Sequence, residues 1–141
     1  MNVVRKPRPG TCAHCLHGRL LLLHRQVKDA VSIANAEHYM WGDGCDGWHL
    51  LQDPQLSVIR ERVPVGKGEV LHSHDVAQQF FYIISGRASV EVDGRLVQLG
   101  PGEGLHVAAG KKHQFRNAGD SAVEFLVISS PPARGDRKNV V

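Results

Sequence analysis

The run Gly66-Lys67-Gly68-Glu69-Val70-Leu71-His72-Ser73-His74-Asp75-Val76-Ala77-Gln78-Gln79-Phe80-Phe81-Tyr82-Ile83-Ile84-Ser85-Gly86 decides how this chain is read. Its second half, Gln79–Ile84, is dense in aromatic and β-branched residues and ends at a Ser-Gly pair, the pattern of a strand running into a turn. His72 and His74 are two residues apart, and in a strand such residues project to one face. Two imidazoles then enter the same space, which is a bidentate start for a metal site. Taken alone, His-x-His fits two exposed or hydrogen-bonded histidines equally well.

Outward from this run, short strand-like segments alternate with turn signals. Upstream lies Leu56–Val63, ended by Pro64, and then Glu69–His72 after the loop Val65–Gly68. Downstream, Arg87–Val92 places Ala88, Val90 and Val92 on one face. Asp93-Gly94 is a two-residue hairpin signal, and Arg95–Leu99 returns to the turn Gly100-Pro101-Gly102. Leu105–Ala108, Lys112–Arg116 and Ala122–Ser129 follow, and Pro131-Pro132 ends the series. Seven or eight short strands at this spacing predict a sandwich, jelly roll or small barrel. There is no strand–helix–strand alternation, no glycine-rich phosphate loop before a helix, and no internal repeat.

Composition agrees. The chain has 141 residues, 42% hydrophobic and 22% charged, with 15 glycines, which is globular and turn-rich. The net charge of +3 hides an asymmetry: residues 1–30 carry six basic residues against Asp29, while residues 31–130 carry 8 basic and 12 acidic. An acidic body argues against a nucleic-acid-binding face. The longest apolar run, Leu20–Leu23, is far short of the roughly 20 residues that span a bilayer. Three cysteines, Cys12, Cys15 and Cys45, provide no disulfide framework for the body, as expected of a reducing compartment. The expectation is a soluble, cytoplasmic protein without nucleic-acid or membrane partners. Residues 1–37 read as an N-terminal extension, partly disordered or carrying a short helix over 20–34. Residues 38–130 form the β domain, and 131–141 a polar tail.

Two further residues join His72 and His74. Gln79 opens the next strand, and His113 follows Gly110-Lys111-Lys112. Three imidazoles and one oxygen donor suit a divalent first-row ion such as Zn, Mn, Fe, Co or Ni, with positions open to water or substrate. The spacing of these residues resembles the cupin superfamily. Gly66, five residues, His72-x-His74, four residues, Gln79, six residues and Gly86 follow the first cupin motif, with Gln79 where glutamate is usual. Gly102, five residues, Ala108-x-Gly110, two residues, His113, three residues and Asn117 follow the second, with Ala108 where proline is usual. The resemblance spans 66–117. It implies an all-β double-stranded β-helix, a jelly-roll barrel often found as a homodimer, here with an irregular N-terminal extension. It also implies a metal at His72, His74, Gln79 and His113 acting on a small oxygen-rich molecule, with isomerase, dioxygenase or decarboxylase-like chemistry. The alternative is a non-catalytic ligand-binding module. Replacing Glu by Gln leaves the charge of the ion uncompensated, which weakens its binding, strengthens it as a Lewis acid and favours an anionic ligand.

Other residues carry weaker expectations. His106, if its face turns inward, is a candidate catalytic acid–base; otherwise it is a surface or hydrogen-bonded histidine. Phe81, Ile83 and Phe115 share parity with Gln79 or His113 and are expected to line a substrate pocket, to form core, or both. The glycine-rich stretch His38–Trp48 predicts an irregular path whose Trp41 and Trp48 cap the barrel mouth, seal a dimer interface or touch substrate. His38 and His49 read as structural, and Arg60 as an exposed edge-strand residue or an anion contact. Cys12-x-x-Cys15 with His14 and His17 has the ligand types of a zinc site but lacks a second pair.

Overall fold

The computed structural model describes residues 29–140. Eleven strands run in chain order: β1 (Glu37–Trp41), β2 (Cys45–Gln52), β3 (Ser57–Val63), β4 (His72–Ser73), β5 (Gln78–Ser85), β6 (Ala88–Val92), β7 (Arg95–Leu99), β8 (Gly104–Val107), β9 (His113–Asn117), β10 (Val123–Ser130) and β11 (Lys138–Asn139). They form two antiparallel sheets, ordered β1-β2-β3-β10-β5-β8 and β11-β4-β9-β6-β7. Apart from β1–β2, β2–β3 and β6–β7, neighbours in the sheets are not consecutive in sequence, so the chain crosses repeatedly between the sheets, which is jelly-roll topology. There is no helix among the described residues.

Period-two alternation builds the interior. In β5, Gln79, Phe81 and Ile83 point inward, while Gln78, Phe80, Tyr82 and Ile84 are exposed. In β10 the inward row is Val123, Phe125, Val127 and Ser129. Phe115 and Phe125 stack with ring centroids 3.9 Å apart, and Phe81 lies 5.6 Å from Phe115. These rings, with Val63, Ile83, Val90 and Val123, fill the closed end of the barrel.

Along each inward row the side chains turn polar toward the other end. Ile83 and Phe81 give way to Gln79, Val127 to Ser129, Phe115 to His113, and Val63 to Glu61. Register brings the polar ends together: Ser129 pairs with Gln79 on one side and Ser57 on the other, and His72 pairs with His113. The barrel therefore has a dry end and a polar end.

The Asp93-Gly94 hairpin forms as expected, with φ of 48° and 82° at the two residues. Three expectations change. The stretch read as an irregular glycine-rich path is a hairpin, β1 against β2, turning at Gly42-Asp43-Gly44. Glycines there make the turn without breaking the pairing. The segment read as a polar tail is part of the barrel: β11 pairs with β4, and Pro132, Ala133, Arg134, Gly135 and Arg137 border the cavity described below. Finally, most of the helix expected over 20–34 lies outside the described residues, and 29–34 are coil and turn. Cys12, His14, Cys15 and His17 lie outside the described residues too.

Candidate metal centre

His72, His74 and His113 come together at the polar end, each 5% exposed or less. Their candidate ligand atoms all lie within 4.8 Å of one another. Different elements supply them. His72 begins β4, His74 follows in the loop after it, and His113 begins β9 beside His72.

Each ring is pinned through Nδ1. His72 Nδ1 donates to the Val70 carbonyl at 2.7 Å, His74 Nδ1 to the Asp136 carbonyl at 2.7 Å, and His113 Nδ1 to the Lys111 carbonyl at 2.9 Å. A carbonyl can only accept, so in these contacts Nδ1 carries a proton, and a ring that holds no second one leaves its Nε2 lone pair free. Burial pushes His72 down to about 3 and lowers His113 too, against the upward pull of their carbonyl partners. Both rings are therefore neutral at physiological pH, the form that binds metals.

Gln79 completes the cluster. Its amide N–H donates to Ser129 Oγ at 3.0 Å, which turns its carbonyl oxygen toward His113 Nε2, 3.1 Å away. Gln79 Oε1 can only accept as well, so a His113 ring with its one proton on Nδ1 sets two lone pairs face to face. His74 Nε2 is buried and has no partner at all. Buried acceptors converging this way repel unless a cation lies among them. The donor set therefore fits a metal ion, and the three imidazoles can hold one.

Asp136 braces this arrangement. Its carboxylate accepts the backbone N–H groups of Asp75, Val76 and Ala77 at 3.0, 2.9 and 2.9 Å, while its own carbonyl holds His74. Those hydrogen bonds keep its carboxyl below the usual carboxylate range. The loop that carries His74 is thus tied to the chain just before β11.

A cavity of about 620 Å³ opens over the centre, lined by His72, His74 and Gln79 and, on its other walls, by Tyr39, His49 and Glu61 of β1–β3, Glu69, Arg134 and Arg137. Tyr39, Gly47 and Glu61 are in register across β1, β2 and β3. A Cβ at Gly47 would fall inside the Tyr39 ring, so this glycine lets the phenol lie across β2 and donate to Glu61 Oε1 at 3.0 Å. Burial, reinforced by the nearby Glu69 charge, pushes Glu61 up to about 8. Burial likewise raises Glu69 to about 7, with Arg137 pulling it back down. Burial and then Glu61 raise Tyr39 as well. Sequence reading missed Glu61, Glu69, Tyr39 and Arg137. One signal was present: in Ser57–Val63 the acid Glu61 shares parity with Ile59 and Val63, while Arg60 and Arg62 take the other face.

Several expected site residues lie elsewhere. His106 is exposed, because Leu105 and Val107 take the inward face of β8; its Nε2 meets Gln78 Oε1 at 3.0 Å on the outer surface, so it cannot serve the cavity. Phe81, Ile83 and Phe115 are core and do not border the cavity, since they occupy the dry end of their rows. Phe81 still touches the centre from below, its ring 6.0 Å from that of His113. Arg60 is on an interior strand, not an edge, and pairs with Glu124 at 2.8 Å on the outer face. His49, read as structural, borders the cavity. Trp41 packs on the core and Trp48 lies against His38, which bonds Asp46 at 2.7 Å.

A two-sheet jelly roll with three buried histidines at its polar end defines a class of protein, and comparison gives it a name. The family model of the cupin domain matches residues 59–129, and the chain belongs to the cupin family. Over 84 residues it is 29% identical to the uncharacterized protein MJ1618 of Methanocaldococcus jannaschii, covering 60% of this chain and 67% of that one. Over 64 residues it is 36% identical to quercetin 2,3-dioxygenase of Bacillus subtilis, covering 45% of this chain but only 19% of the relative. The structure of the polyketide cyclase RemF from Streptomyces resistomycificus superposes with a TM-score of 0.70 at 17% identity, covering 82% of this chain and 87% of that one. No helix among the described residues is long and apolar enough to cross a membrane.

Proposed function

We propose that this chain binds a divalent first-row metal through His72, His74, His113 and Gln79 and uses it to act on a small oxygen-rich molecule, with chemistry of the isomerase or dioxygenase kind. The observation that carries the reading is the convergence of three buried imidazoles, whose candidate ligand atoms all lie within 4.8 Å of one another, with the Gln79 oxygen 3.1 Å from His113 Nε2. Zn, Mn, Fe, Co and Ni all accept such a set. A metal bound there supplies Lewis acidity to an oxygen of the ligand. The neutral donor set leaves the charge of the ion for the ligand to balance, so an enolate, keto-acid or other anion is favoured. Quercetin 2,3-dioxygenase and the RemF cyclase are named for oxygen-rich substrates, which supports a ligand of that class.

The chain's own contribution is positional. Ser129 holds the Gln79 amide, backbone carbonyls hold the three rings, and Glu61 and Glu69 keep exchangeable protons in the cavity near neutral pH. One observation favours a non-catalytic binding module instead: Gln79 takes the place of a carboxylate that could act as a base beside the ion.

Metal analysis of the purified chain tests the reading. About one first-row ion per chain is expected, lost on His74→Ala; a chain that takes up no ion from any of the five metals refutes it. Oxygen uptake by the iron- or manganese-loaded chain with flavonol or enediol substrates separates dioxygenase from isomerase chemistry. A loaded chain that binds these molecules without turning them over is the binding module.

A further inference from the structure

The cavity holds polar atoms that the metal centre does not account for. Glu61 is 8% exposed, and its Oε1 is taken by the Tyr39 hydroxyl. Its Oε2 is buried with no partner, and so is His49 Nδ1 on the neighbouring strand. Both residues border the same cavity as His72, His74 and Gln79, and His49 shares its strand face with Gly47, opposite Asp46 and Trp48. Buried side-chain donors and acceptors nearly always find a partner, and these two lack one within the chain. At the rim, Arg134 and Arg137 border the cavity, and neither forms an ion pair among the described residues; Arg137 Nε donates to Asn139 Oδ1 at 2.9 Å.

We propose that Tyr39, His49 and Glu61 form a second polar subsite in the cavity that the metal centre borders, which takes the hydroxyl groups of a small hydroxy-carboxylate whose carboxylate lies against Arg134 and Arg137. The inference rests on the metal-binding reading above and gives its ligand a chemical class. A hydroxyl both donates and accepts, so one such group can satisfy the free Glu61 oxygen and another the free His49 nitrogen. A guanidinium presents paired donors that match a carboxylate, and those of Arg134 and Arg137 are not taken up by a contact ion pair among the described residues, although Glu69 feels the Arg137 charge. Room is sufficient, since about 620 Å³ lies within the range of small-molecule sites. A ligand without hydroxyl groups would leave the two buried polar atoms unmatched.

The test is isothermal titration calorimetry on the full metal-loaded chain with three probes. D-Gluconate has hydroxyls and a carboxylate, D-glucitol has the hydroxyls alone, and hexanoate has the carboxylate alone. Gluconate should bind at least about tenfold more tightly than either of the others. Arg134→Ala/Arg137→Ala and, separately, Glu61→Ala should each weaken gluconate about tenfold with metal content unchanged, and Tyr39→Phe by less. The double arginine variant alters exposed positions and keeps the test decisive if Glu61→Ala does not fold. Equal affinity for gluconate and hexanoate, or wild-type affinity in the double arginine variant, overturns the inference. Metal content is read in the same samples: a chain that holds metal but ignores these groups refutes only this inference, whereas a chain that holds none refutes the metal reading and this with it.

Discussion

Glu61 makes the stability of this protein depend on pH in an unusual direction. The group is 8% exposed and faces Tyr39, Glu69 and the more distant Arg137, with the partnerless Oε2 buried. Burial and the Glu69 charge raise it from 4.5 to about 8, so the folded chain holds this proton more tightly than the unfolded one. The folded state is then favoured below the unfolded value and loses that advantage as pH rises through the folded value. The interval is about 3.5 pH units at about 1.4 kcal/mol each, which sets an upper bound of roughly 5 kcal/mol. Glu61→Gln keeps the shape and an oxygen for the Tyr39 hydroxyl while removing the titration. Urea unfolding of chelator-treated protein at pH 5.5, 7.0 and 8.5 should show the wild type losing stability across the series and the variant losing much less. At pH 8.5 the variant should be the more stable of the two. A wild type whose stability is flat or rising over this range, or a variant with the same slope, refutes the reasoning that places a buried, largely protonated acid in the cavity wall.

Four other outcomes follow from named contacts. Asp136→Ala frees residues 75–77 and loosens the loop that carries His74, so chelator competition should show metal affinity falling about 10–100-fold while far-UV circular dichroism is unchanged. Gln79→Glu adds the charge the donor set lacks and should raise metal affinity in the same competition assay; lower affinity would place the Gln79 oxygen away from the ion. Gly47→Ala drives a methyl into the Tyr39 ring and should cost about 1–3 kcal/mol in urea unfolding, an effect largely relieved when Tyr39 is also changed to Ala. His106→Ala should leave metal content and affinity unaltered, because the ring is on the outer surface against Gln78.

Much of the fold is legible along the chain because strands write themselves in a two-residue period. Gln79–Ile84, Arg87–Leu99 and Ala122–Ser129 were readable from alternation and from Asp93-Gly94, and each lies within a residue or two of the strand observed. The histidine cluster was readable because His72 and His74 share a face and because the spacing to Gln79 and His113 matches a known pattern. The glycine-rich hairpin β1–β2 was not, since glycines at 42, 44 and 47 mark both tight turns and close approaches and period alone does not tell them apart. The catalytic reading of His106 and the pocket reading of Phe81, Ile83 and Phe115 gave way to their alternatives, a hydrogen-bonded surface histidine and core, for two distinct reasons. Alternation defines two faces without saying which is inward, and a residue on the inward face can still lie at the dry end of its row.

Local periodicity and motif spacing therefore settled the strands, the sheet class and the three imidazoles, because those depend on neighbours a few residues apart. The cavity wall was decided only by tertiary structure. Tyr39, Glu61, Glu69 and Arg137 meet through strand register and a returning C-terminal segment across as many as 98 positions. Their shifted acidities arise from burial, which belongs to the assembled barrel and to no short stretch of chain.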